Sequence, residues 1–317
     1  HPEVLEVIHR VVAEGTTFFT NNPYGIRLAA EIVDAMACVE QVRFVSSGSE
    51  ADMYAMRLMR AFKGKDKILK FEGGYHGMSD YGLISTTPKR VTNFPEGAAD
   101  SAGIPSAVQQ QMVVAPYNDL GTVESLIREN REELAGIIVE PFQRLIPPIP
   151  GFLEGLRQLC DSYDLVLCFD EVVTGFRFAY GGAQAYYGVT PDICTMGKAI
   201  GGGFPLAAIG GRSEIMIHFD KSAVSEDDFM TQIGTLSGNP VAAAAGLKTL
   251  EILKRPGGYD HMFAQGKRLM EGYKKSLNKY GVNAQVVGDA PMFDLVFNNK
   301  KVVDYRSAIG DADMMAK

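Results

Sequence analysis

Several short stretches of this 317-residue chain carry residue types that can do chemistry. Lys198 follows the apolar run Ile193-Cys-Thr-Met196 and precedes Gly201, Gly202 and Gly203. A lysine in dry surroundings has a lowered pKa and becomes nucleophilic. The glycines let a flat group pack against the backbone. No Ser or Thr follows Lys198, which excludes a P-loop lysine. Asp170 and Glu171 end the run Leu165-Val-Leu-Cys-Phe169. A carboxylate there is costly unless paired or functional. It can hold a proton on a ring nitrogen, bind a metal, or form an ion pair, with Arg177 as the nearest partner.

Ser47-Gly48-Ser49-Glu50 follows the strand-like Arg43-Phe-Val45. Ser47 and Glu50 have capping-box spacing. Gly48 allows close approach, and a helix N-terminus offers unpaired N–H groups to an anion. The stretch reads as a phosphate cup or as a plain capped helix. In Gly73-Gly74-Tyr75-His76-Gly77, Tyr75 can stack on a planar cofactor or be an ordinary loop aromatic, and His76 adds an imidazole. Gly234-Thr235-Leu-Ser-Gly-Asn-Pro240 is another turn opening a helix, hence a second phosphate donor. A phosphate cup, a carboxylate for a ring nitrogen, an activated lysine and a stacking aromatic are together what pyridoxal 5'-phosphate (PLP) requires.

These residues need elements to position them. Apolar runs predict strands over 42–46, 67–71, 82–85, 112–115, 136–140, 165–170, 193–196 and 206–210. Helical patterns fall at 2–14, 49–62, 120–130, 152–163 and 179–187. Runs such as Gly136-Ile-Ile-Val139 are apolar throughout, the pattern of strands covered on both faces. The alternation predicts an α/β fold with a mostly parallel sheet and helices on both faces. Functional residues in such sheets gather at the strands' carboxyl ends. Beyond Gly238 the pattern changes to long helices at 240–254 and 261–279 and short strands at 283–287 and 292–297. We therefore expect a partial N-terminal segment over 1–38, a large cofactor domain over 39–250, and a partial α+β small domain over 251–317, with both ends cut.

Composition narrows the class. Lys plus Arg is 31 and Asp plus Glu is 38, a formal net charge of −7. That acidity argues against a nucleic-acid footprint or an anionic membrane surface. The 34 glycines are about 11%, above the usual ~7%, without a collagen period. Cys38, Cys160, Cys168 and Cys194 form no C-x-x-C pair, and the five histidines form no H-E-x-x-H, so no metal site is expected. The thiols read as buried and free, in a reducing, cytoplasmic setting. The uncharged stretch from Phe229 to Leu247 is broken by Gly and Pro and is not a spanning helix.

The motifs Phe44-Val-Ser-Ser-Gly-Ser-Glu-Ala51, Lys70-Phe-Glu-Gly-Gly-Tyr-His-Gly77, Val139-Glu-Pro141, Pro150-Gly-Phe-Leu-Glu-Gly-Leu-Arg157, Phe169-Asp-Glu-Val-Val-Thr-Gly-Phe-Arg177, Gly197-Lys-Ala-Ile-Gly-Gly-Gly203 and Gly234-Thr-Leu-Ser-Gly-Asn-Pro240 resemble the class III, fold type I, PLP-dependent aminotransferases. Within that class the chain is most similar to glutamate-1-semialdehyde 2,1-aminomutase and its aminotransferase relatives. The resemblance implies a seven-stranded sheet and a ping-pong aminotransferase acting through a Lys198 aldimine. Asp170 would keep the pyridinium nitrogen protonated. Val172 and Tyr75 would cover the two ring faces, and Gly48 and Ser49 would bind the phosphate. Thr235 would reach the phosphate of the neighbouring subunit in a homodimer. Gln143 would meet the ring O3′, and Arg144 would grip a substrate carboxylate or be a surface or ion-paired residue. The aminomutase is the alternative activity. A non-catalytic relative of the fold and a nucleotide-binding dehydrogenase are the remaining ones; against the dehydrogenase, this chain has no G-x-G-x-x-G. The segment 86–106, where the aminomutase carries its gating loop, shows little likeness, and the run from Glu140 to Pro147 is shorter.

Overall fold

The apolar runs do form strands covered on both faces. The computed structural model describes residues 1–88, 90–298 and 300–309. The strands are β1 (Gln41–Val45), β2 (Lys67–Phe71), β3 (Met112–Ala115), β4 (Leu134–Val139), β5 (Val166–Glu171), β6 (Ile193–Met196), β7 (Ala207–Gly211), β8 (Gln285–Asp289) and β9 (Met292–Val296). The first seven form one sheet in the order β1-β7-β6-β5-β4-β2-β3. Neighbours from β3 through β6 run parallel, and β7 is antiparallel to both β6 and β1. β8 and β9 pair only with each other, in a separate two-stranded sheet.

The helices are α1 (Pro2–Glu14), α2 (Pro23–Ala35), α3 (Gly48–Lys63), α4 (Ser106–Gln110), α5 (Leu120–Asn130), α6 (Phe152–Tyr163), α7 (Gly182–Tyr187), α8 (Ser213–Met216), α9 (Pro240–Leu253), α10 (Gly258–Tyr280) and α11 (Tyr305–Ala308). Side chains alternate across β5. Leu167 and Phe169 join the core beneath α2, α5, α6 and α9, whereas Val166 and Cys168 join the core beneath α3 and α8. The period of two therefore puts Asp170 on the α3 face and Glu171 on the opposite one. α3 starts with a complete capping box between Ser47 and Glu50 and ends at Gly64 in the left-handed region, as its sequence dictates. All four cysteines are buried and free.

Two expectations change. The segment 82–85 is not a strand; only Ile84 makes an isolated bridge, to Ala99. The carbonyls of Gly82 and Ile84 are taken instead by the Lys70 ammonium at 3.0 and 2.6 Å. Helix α2 was not expected. It starts at Asn22-Pro23, where Asn22 Oδ1 accepts from Gly25 N at 2.9 Å, and it buries Leu28 and Ile32. Among the described residues, no helix is long and apolar enough to cross a membrane.

Candidate active site

Loops at the carboxyl ends of β1, β2, β4, β5 and β6 converge. Val172, just after β5, is the wedge. A Cβ on Gly48 would come within 2.9 Å of Val172 Cγ1, and one on Gly197 within 3.1 Å of the same atom. Only glycine at both positions lets the β1, β5 and β6 loops close on one valine. The β2 loop joins from the side. A Cβ on Gly77 would lie 2.4 Å from Ser49 Cα, and Met78 N donates to Ser49 Oγ at 3.1 Å. Gly48, Ser49, Tyr75, His76, Asp170, Val172 and Lys198 thus belong to one strand-end cluster.

Asp170 is 4% exposed. Its Oδ2 lies 2.8 Å from His76 Nδ1, and its Oδ1 accepts from Val172 N at 3.1 Å and from Thr195 Oγ1 at 3.3 Å. Burial pulls the His76 pKa down, against the opposing pull of Asp170. Glu171 makes no ion pair with Arg177. It accepts from Thr174 Oγ1, Ala183 N, Gln184 N and Gln184 Nε2, while Arg177 donates to the Pro291 carbonyl.

Lys198 corrects the expectation of a dry lysine. It opens a 3-10 turn (Lys198–Gly201) with φ of 45° and an exposed side chain. The apolar run ends at Met196, so Gly197 carries the chain out over the strand ends. The dry lysine is Lys70, 0% exposed, bonded to the carbonyls of Gly74, Gly82 and Ile84 and to Thr86 Oγ1. Burial lowers its pKa to about 7. Lys70 alternates with fully apolar neighbours on β2, which hid it among strand residues.

Tyr75 stands partly exposed, and its backbone N–H donates to Glu140 Oε2 at 2.9 Å. Burial and the nearby Asp170 charge push Glu140 up to about 8. Glu140 has no assigned role in the sequence reading, although an acid ending a fully apolar strand is itself a signal. Gln143 is buried and donates Nε2 to the Glu72 carbonyl at 2.8 Å. Arg144, with φ of 48°, donates to the carbonyls of Gly73 and Thr86 and lies 5.6 Å from the Tyr75 ring centroid. It is held by carbonyls and a ring, not by an ion pair. Ser47 Oγ is engaged in the capping box. Thr235 is the outlier. It is exposed on the loop before α9, and the cleft it lines, about 540 Å³, contains none of the other candidate residues.

Does the cluster fit PLP? Two buried polar atoms, His76 Nε2 and Gln143 Oε1, have no hydrogen-bond partner. Both lie beside Gly74, where a Cβ would meet them at 3.1 and 3.4 Å. Unsatisfied buried groups on a glycine-lined surface are what a polar planar ring would engage. The phosphate end has the α3 N-terminus. Asp52, His76 and Asp170 also offer ligand-type atoms within 4.8 Å of one another. The hydrogen bonds of Asp170 and Thr195 already account for this grouping.

The aminotransferase class-III family model matches residues 1–311. An ω-transaminase from Sphaerobacter thermophilus is 37% identical, with 99% of this chain and 72% of that one covered and a TM-score of 0.92. A transaminase solved with PLP bound is 31% identical, with coverages of 95% and 70% and a TM-score of 0.87. A glutamate-1-semialdehyde aminomutase from Pseudomonas aeruginosa PAO1 shares the fold at 24% identity, with coverages of 97% and 68% and a TM-score of 0.83. The seven-stranded sheet is the fold of these PLP enzymes. The chain belongs to the class-III aminotransferases, PLP-dependent enzymes that transfer amino groups between small molecules.

Proposed function

We propose that the strand-end cluster holds PLP and moves an amino group from an amino acid or amine to a separate carbonyl acceptor, in two half-reactions with ping-pong kinetics. The convergence of Gly48, Gly197 and Val172, with Asp170 clamped beside them, carries this reading. PLP supplies the electron sink for a carbanion at the substrate Cα. Lys198 would anchor the cofactor and then, as a free amine, move the Cα proton. Its exposed position over the strand ends gives that amine room to swing. Asp170 would accept the ring N–H, and His76 would fix the carboxylate's orientation. Val172 would cover one ring face and Tyr75 the other. The backbone N–H groups of Gly48 and Ser49, with the Ser49 hydroxyl, would hold the phosphate. The free atom of Gln143 is an acceptor, so it would meet O3′ in its hydroxyl form. Arg144 keeps donors beside Tyr75 for a substrate carboxylate.

The test is colour and turnover. The protein with PLP should be yellow, and Lys198→Ala should lose the lysine-linked absorbance band together with activity. An unchanged band in Lys198→Ala would overturn the assignment. Turnover of glutamate-1-semialdehyde with no second amino acceptor would replace transamination by the aminomutase reaction. The 37% identity to an ω-transaminase favours transamination.

A homodimer with shared sites is part of the same proposal. The Thr235 loop also exposes Ile233 and Leu236, and Phe18 and Phe19 stand exposed beside the same cleft. Such an apolar surface suits burial against a second copy. Mixing inactive Lys198→Ala with inactive Thr235→Asp should restore activity, because a mixed dimer then contains one intact site. No recovery in a verified mixed dimer would place Thr235 outside the partner's site. We further propose that residues 39–250 form the cofactor domain, with 1–38 leading into it and 251–317 a partial small domain. The separate β8–β9 sheet supports that division. Four buried free thiols support a reducing, cytoplasmic setting.

A further inference from the structure

Asp52 has no role in the reading above. Its side chain is 2% exposed, on the stripe of α3 that also buries Ala51, Ala55, Met56, Leu58 and Met59. Thr195 faces it from β6, with Oγ1 2.7 Å from Asp52 Oδ1 and 3.3 Å from Asp170 Oδ1. Thr195 and Asp170 are register partners on adjacent parallel strands, so their side chains share the α3 face. One hydroxyl therefore bridges two buried carboxyl groups.

A hydroxyl has one proton to give and lone pairs with which to accept. Two carboxylates this close in a dry interior do not both stay ionised. The charge settles where donors are. Asp170 also receives the Val172 N–H and has His76 Nδ1 at 2.8 Å. No backbone or ring N–H donates to Asp52 among the described residues. We propose that Asp52 is a positioning residue that works as a neutral acid, donating its proton to Thr195 and so turning the Thr195 hydroxyl onto Asp170. Three donors then converge on the Asp170 carboxylate and fix its charge and orientation.

The surroundings agree. Burial, followed by the Asp170 charge, holds the Asp52 carboxyl well above the ordinary range against the opposing pull of the Thr195 hydrogen bond, and Glu140 also pushes it up. The groups facing the pair are Cys168 and Asp170 on β5, Thr195 on β6, His76 on the β2 loop and Glu140 at the end of β4. No cation bonds directly to Asp52 among the described residues. A neutral acid is thus the form this site accommodates.

The consequence rests on reading Asp170 as the partner of the PLP ring nitrogen. The experiment separates the two claims. Infrared difference spectra between the full protein and Asp52→Asn, with and without PLP, should show the loss of one protonated carboxyl's carbonyl stretch at neutral pH; Glu140, also held protonated there, contributes to both and cancels. Asp170→Asn should show no such loss. Asparagine still donates to Thr195, so Asp52→Asn should rescue PLP affinity and the cofactor's visible spectrum relative to Asp52→Leu. Thr195→Val, which removes one hydrogen bond to a charged group, should weaken PLP binding about tenfold. No loss of that carbonyl intensity in Asp52→Asn overturns the proposal. So does Asp52→Asn weakening PLP as severely as Asp52→Leu. If Asp52→Leu does not fold, the band and Thr195→Val decide. PLP affinity and spectrum unchanged in Asp170→Asn would instead sink the ring-nitrogen reading and leave the Asp52 result standing.

Discussion

Asp170 and Glu171 are adjacent carboxyl residues on β5, both buried, yet the two faces of the sheet treat them differently. Glu171 is saturated. A hydroxyl, two backbone N–H groups and a side-chain amide all donate to it, and it closes the start of α7 onto the sheet. Asp170 is held by three neighbours of which one, His76, keeps its other ring nitrogen unpartnered. Its face also collects Asp52, Glu140 and Lys70, all displaced from their ordinary pKa values mainly by burial. A structural carboxylate is one whose hydrogen bonds are complete. A working one sits among coupled groups with capacity to spare.

Substitution should break the pair apart. Asp170→Asn keeps the shape but loses the charge that would hold a ring proton. Turnover should fall by about a hundredfold to a thousandfold, the scale of losing one preorganised electrostatic partner. The unfolding midpoint in urea should barely move. Glu171→Ala should do the reverse. Stranding its buried donors should cost at least about 3 kcal/mol of stability. The protein that remains folded should keep its kcat. Equal stability losses in the two variants would erase the distinction.

The contrast also explains what could be read in the chain. β2, β3 and β6, with α5 and α6, follow directly from apolar runs and helical spacing, because buried strands and amphipathic helices advertise their own environment. Asp170, Gly48 and Lys198 were legible because charge and glycine at strand ends are unusual. Solvent exposure of Lys198 was not, since it depends on how Gly197 carries the chain off the sheet. Lys70 and Asp52 were hidden for a related reason. Each reads as an ordinary polar residue of a regular element, and only tertiary neighbours make it buried: four acceptors in one case and Thr195 in the other. The segment 82–85 misled because its carbonyls bond a lysine side chain rather than a neighbouring strand.

Glu140 sharpens the comparison by pH. Its native pKa is raised from 4.5 to about 8. Between those values the folded protein keeps a proton that the unfolded chain has released, so stability falls as pH rises. Lys70 works oppositely, with its native pKa lowered from 10.5 to about 7, so its contribution grows above pH 7. Below pH 7 Lys70 adds little, and the difference between the parent and a Glu140→Gln variant from pH 5 to 7 isolates Glu140 from the other buried acids. Glu140→Gln still offers an oxygen to Tyr75 N–H but cannot ionise. Its stability should fall less steeply across that window, by up to roughly 1 kcal/mol per pH unit. Parallel urea-unfolding profiles for parent and variant would show that Glu140 ionises normally.

The smallest effect separates two serines at the start of α3. Ser47 Oγ accepts from Glu50 N at 3.3 Å, and Glu50 Oε2 accepts from Ser46 N and Ser47 N at 2.8 and 2.9 Å. Ser49 Oγ accepts from Met78 N and keeps its own proton to donate. Ser47→Ala removes a cap and should cost about 1 kcal/mol of stability, with PLP affinity preserved. Ser49→Ala removes a hydroxyl placed to donate to a charged phosphate and should weaken PLP binding about tenfold. Thermal melts and PLP titrations of the two variants read both effects at once. If Ser47→Ala loses the cofactor as readily as Ser49→Ala, the capping serine also belongs to the phosphate cup, and the line between structural and working groups in this molecule runs through the N-cap of α3 itself.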